Sequence, residues 1–93
     1  MAATDIDREV ATALAKTLRT RRQAAGLTQE QMAAKAGIDP KYYGSLENAQ
    51  GNSTGRAANP SLQVIRKLSE AYEISVPDLM FDVFGRPSSQ HEA

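Results

Sequence analysis

Apolar residues recur along this chain at helical spacing, and no stretch alternates as a half-buried strand does. Val10, Leu14 and Leu18 repeat every fourth position. Met32, Ala33 and Ala36 fall on one helical face, and Tyr43 and Leu46 on another. Leu62, Ile65, Leu68 and Tyr72 form a further stripe, followed by Leu79, Met80, Val83 and Phe84. Start and stop signals frame these stripes. Asp5 or Asp7 opens a first helix that should run to about Ala25, with Gly26 as its terminator. Thr28 and Gln31 have the spacing of a capping box, and Gly37 can turn the chain in the left-handed conformation. Asp39 then caps, and Pro40 suits a first helical position because it has no amide to leave unpaired. Ser61 and Ser75 are two more caps. The expectation is an all-α protein, a compact bundle of five helices. Ile65, Leu68, Tyr72 and Leu62 are all expected in its core.

The segment from Thr28 to Asn48 reads as two short helices joined at Gly37 by a tight turn, which is a helix-turn-helix. The small alanines of its first helix allow its second, about 40–48, to approach closely.

This segment resembles the Cro/C1-type (Xre-type) helix-turn-helix family. The match lies at Gly26, Leu27, Thr28, Gln29, Met32, Ala33, Ala36, Gly37, Ile38, Asp39, Tyr42, Tyr43, Leu46 and Glu47, with Asn59-Pro60-Ser61-Leu62 downstream. It covers about residues 10–83 and implies a lambda-repressor-like DNA-binding domain over 10–84. Residues 1–9 are then a partly frayed N-terminus and 85–93 a disordered tail. The chain departs from the family after Asn48, where a polar, glycine-containing insertion of about residues 49–59 is expected to be a mobile loop.

Composition narrows the function classes. The 93 residues carry no cysteine, so neither disulfides nor a thiolate metal site is available. No apolar run approaches the ~20 residues of a membrane span, and the N-terminus has no signal-peptide core, so a soluble, cytoplasmic protein is expected. The lone His91 lies in the tail, the carboxylates sit at caps or on solvated faces, and no glycine-rich phosphate loop follows a strand. The reading is a binding protein, not an enzyme, with no cofactor and no metal.

The formal net charge is zero, which counts against a broadly basic nucleic-acid binder. Its distribution is uneven. Between positions 16 and 41 Lys16, Arg19, Arg21, Arg22, Lys35 and Lys41 face only Glu30 and Asp39, while from 70 onward Glu70, Glu73, Asp78, Asp82 and Glu92 face only Arg86. A basic end and an acidic end are therefore expected.

A recognition helix presents its N-terminal residues to base edges in the major groove. With Tyr43 and Leu46 inward, the outward positions are Pro40, Lys41, Gly44 and Ser45, which coincide with base-contacting positions of the resembled family. Lys41 can donate to the N7 and O6 acceptors of guanine, or instead hold a phosphate. Gly44 either lets the helix come close to the bases or is a tolerated loss of helix propensity. The ring of Tyr42 can meet a thymine methyl, or its hydroxyl a phosphate. Gln29, by the same resemblance, and Asn48 are phosphate candidates. Arg56 is read as a phosphate or minor-groove contact beside Asn52, Ser53 and Thr54, against the alternative of a plain surface insertion. The resemblance also implies a structural salt bridge between Arg22 and Glu47.

Double-stranded DNA is the expected partner, bound on a palindromic operator by a homodimer through the C-terminal helix, whose Leu79, Met80, Val83 and Phe84 are either half of a two-fold contact or the lid of the monomer core. The function is then sequence-specific transcriptional regulation as a repressor or controller; the alternative is a protein-interaction module or antitoxin.

Overall fold

The computed structural model describes residues 5–49 and 60–85. The expectations for residues 1–4, for most of the insertion with Asn52, Ser53, Thr54 and Arg56, and for the tail after Gly85 with His91 lie outside the described residues. The elements are α1 (Asp5–Ala25), α2 (Gln29–Ala36), α3 (Pro40–Glu47), α4 (Leu62–Tyr72) and α5 (Val76–Phe84), all helical.

From α2 to α5, each helix begins and ends where local chemistry provides for its unpaired backbone groups. Thr28 Oγ1 accepts from the Gln31 amide at 3.0 Å while Gln31 Oε1 accepts from the Thr28 amide at 2.9 Å, so the box is reciprocal. Gly37 takes φ 73°, which a β-carbon would penalise, and lets its own amide and that of Ile38 donate back into α2. Asp39 Oδ2 accepts from the Tyr42 amide at 3.0 Å, with Pro40 inside the first turn of α3. Ser61 and Ser75 accept from Val64 and Asp78 in the same way. At the end of α4 no glycine is available, and Glu73 itself adopts the left-handed conformation at φ 63°. That conformation costs an L-residue about 1–2 kcal/mol.

The core is one cluster. α1 contributes Leu14 and Leu18, with Ala11 and Ala15 buried alongside. The helix-turn-helix adds Met32, Ala33, Ala36, Tyr43 and Leu46, and the last two helices add Ile65, Leu68, Ala71, Leu79 and Val83. α1 packs on α3 and α5, α2 on α3 and α4, so α3 is held from two directions while its outer surface stays open.

Two expectations are corrected. Leu62 is not in the core: it is 84% exposed. It is the first residue of α4, one turn before Ile65, at the end of the stripe that Ile65, Leu68 and Tyr72 continue. The basic and acidic segments also do not form opposite ends. Arg21 pairs with Asp82, and Lys35 with Glu73 at 3.1 Å, because α1 packs on α5 and α2 on α4. The last apolar group is likewise divided, with Leu79 and Val83 closing the core while Phe81 and Phe84 are 51% and 61% exposed.

Candidate nucleic-acid interface

The exposed part of α3 starts at its capped N-terminus. Pro40 and Lys41 are exposed, and Tyr42 is at the margin of exposure; Tyr43 and Leu46, one turn apart, are fully turned into the core. Gly44 and Ser45 are only half-exposed. A β-carbon at Gly44 would lie 3.6 Å from Gln29 Oε1, so this point of α3 faces the first residue of α2. Lys41 precedes Gly44 by three residues, hence by nearly one turn on the same side. Pro40, Lys41, Gly44 and Gln29 thus share one side of the molecule. Ser45 Oγ donates to the Tyr42 carbonyl at 2.7 Å, which commits its proton within the helix and leaves its oxygen as an acceptor.

Beneath this surface the buried carboxylate of Glu47 collects donors. Arg22 grips it twice, Nε to Oε2 at 2.6 Å and Nη2 to Oε1 at 3.0 Å, while Arg22 Nη1 donates to the Leu27 carbonyl at 2.9 Å. Gln29 Nε2 donates to Oε1 at 3.0 Å. Burial by itself would raise the pKa of this carboxyl. Hydrogen bonds from Arg22 and Gln29 outweigh burial and hold it below the ordinary glutamate range, and the same bond to Glu47 raises the pKa of Arg22. One charged residue therefore ties α1, α2 and α3 together directly behind the exposed face.

Several contacts were not anticipated from the sequence. Gln29 is bound inward to Glu47 through its side-chain amide, so what it presents outward is the remaining amide hydrogen and the backbone at the start of α2. Arg19 Nη1 donates to the Glu47 carbonyl at 2.8 Å, clasping the C-terminal end of α3. Its place three residues before Arg22, on the same face of α1, was a usable signal. The Tyr43 and Tyr72 hydroxyls meet at 2.7 Å, and Tyr72 also reaches the Leu18 carbonyl at 3.4 Å. Burial raises the pKa of both tyrosines, Tyr43 further through its bond to Tyr72. Asn48 is the exposed C-terminal cap of α3, its amide donating to the Gly44 carbonyl at 3.1 Å.

Among the described residues no group of three or more His, Cys, Asp or Glu is placed to hold a metal ion, and no described helix is long and apolar enough to cross a membrane. Comparison with curated proteins and with solved structures gave no match. A family model described as a helix-turn-helix domain matches residues 13–80, from the first half of α1 into α5, and the chain belongs to that helix-turn-helix domain family.

Proposed function

We propose that this chain is a sequence-specific transcriptional regulator of the Cro/C1 type, acting as a repressor or controller on a palindromic operator. The observation that carries the reading is the shared face of Pro40, Lys41 and Gly44 with Gln29. That arrangement puts a candidate base-reading surface beside a helix N-terminus suited to phosphate, which is how a helix-turn-helix meets the major groove. Lys41 reads guanine, Ser45 accepts from a base edge, and Pro40 offers apolar surface to a thymine methyl. Gln29, Tyr42, Asn48 and Arg56 fix register on the backbone. The exposed Phe81 and Phe84 on α5 supply the two-fold contact of a homodimer, and half-sites about one helical turn apart follow from that symmetry.

The same two phenylalanines favour one other reading, a protein-interaction module or antitoxin whose partner covers α5. Fluorescence anisotropy separates the two. DNA from upstream of the protein's own gene and a scrambled duplex are titrated with wild type and Lys41→Ala. Selective weakening on the first duplex supports base reading by Lys41. Equal weakening on both reduces Lys41 to a phosphate contact, and absence of binding at low salt leaves the protein-partner reading.

A further inference from the structure

We propose that Arg19, carried on α1, is a DNA phosphate contact at the C-terminal end of the recognition helix. The inference rests on the DNA-binding reading and extends it to a helix outside the helix-turn-helix.

Three observations carry it. The first is position. Arg19 donates to the main-chain carbonyl of Glu47, and Gln29 donates to the side chain of that same residue, so both are anchored on one residue of α3. A strand whose phosphate meets Gln29 runs within reach of Arg19 and of Asn48, the residue that follows Glu47 in the chain.

The second is the charge of the helix end. The C-terminal carbonyls of a helix carry a partial negative charge that repels phosphate, so a recognition helix docked along its length needs a cation there. Lys41 serves the N-terminal end and cannot reach the other. Arg19 stands at that place, with its charge on the carbonyl itself.

The third is availability. Arg21 and Arg22 both spend their guanidinium groups on carboxylates, those of Asp82 and Glu47. Among the described residues Arg19 makes one hydrogen bond, to a neutral carbonyl, and it is exposed. A guanidinium has five N–H donors in a fork that matches a phosphate, so most of its capacity faces outward.

The test uses the full chain with both duplexes, reading anisotropy over a series of salt concentrations for wild type, Arg19→Gln and Arg19→Lys. Arg19→Gln keeps a donor for the Glu47 carbonyl but loses the charge. It is expected to weaken binding to both duplexes about equally, roughly tenfold near 0.1 M salt, and to reduce the slope of log K against log salt by about 0.9. Arg19→Lys restores the slope. An Arg19→Gln slope equal to wild type, whether or not affinity falls, overturns the contact and leaves Arg19 a clasp on α3, with the DNA-binding reading intact. Wild type that binds neither duplex at low salt overturns both.

Discussion

Arg22 and Glu47 meet as a two-bonded ion pair between α1 and α3, with the carboxylate side chain wholly excluded from solvent and the guanidinium nearly so. The pair was implied by family resemblance; its surroundings explain its value. Removing one partner leaves a charge buried without compensation, and Glu47 also holds Gln29. Glu47→Ala is therefore expected to cost about 3–5 kcal/mol of folding stability, measured by urea denaturation. A loss under 1 kcal/mol would contradict the arrangement.

The pair also sets a pH dependence. The carboxyl of Glu47 titrates below its ordinary value in the fold, so its stabilisation is fully present above the unfolded-state pKa of about 4.3. It is lost as pH falls from there through the lower, folded value. Wild type should lose stability on acidification more steeply than Glu47→Gln, and the two denaturation curves should approach each other below about pH 4. Parallel curves across that range would show that Glu47 is not the titrating group.

The hydroxyl pair of Tyr43 and Tyr72 joins α3 to α4 at 2.7 Å. Tyr72→Phe and Tyr43→Phe each remove one neutral partner of this bond and should each cost about 1 kcal/mol. The double variant should lose less than the sum, because each hydroxyl satisfies the other. Both pKa values are raised in the fold, so this stabilisation is complete below the unfolded tyrosine value of about 10 and declines as pH rises above it. Strict additivity in a thermal-denaturation cycle would argue that the two groups are not coupled.

What the sequence made legible was local. Thr28 with Gln31, Gly37, and Asp39 with Pro40 decide helix boundaries within a few residues of themselves, and the helices begin and end on them. Apolar spacing likewise marked Met32, Tyr43, Leu46 and Leu68 as core. Leu62 shows the limit, since periodicity assigns a face but does not say how far the neighbouring helix extends to cover it. Charge was misread for a related reason. Arg21 and Asp82 are 61 positions apart, and only the packing of α1 on α5 and of α2 on α4 brings cations and carboxylates of the two clusters together. The inward bond of Gln29 to Glu47 was hidden because a glutamine at a helix start has equal chemical reason to face solvent.

Gly44 sits in the interior of α3 with ordinary helical geometry, so its glycine character has no conformational justification there. A methyl group at this position meets only Gln29 Oε1, at 3.6 Å, an ordinary contact. Gly44→Ala should therefore raise stability by about 0.5–1 kcal/mol. If the bare backbone serves close approach to the bases, the same variant binds operator DNA more weakly despite its higher melting temperature. Stability and affinity rising together would identify Gly44 as a tolerated flaw.

Phe81 and Phe84 are both more than half exposed on α5, whose other face closes the core through Leu79 and Val83. Two large aromatic surfaces left in water on one short helix are what the proposed two-fold contact would bury, since an isologous contact covers the same residues on both copies. The chain is expected to sediment as a dimer at micromolar concentration. Phe81→Ser with Phe84→Ser should shift it to monomer while leaving its helical content intact, since neither ring belongs to the core cluster. Binding to a full palindrome should then fall much more than binding to a single half-site. A wild-type chain that stays monomeric well above that concentration, and binds half-sites independently, would remove the two-fold contact and return the α5 face to a different protein partner.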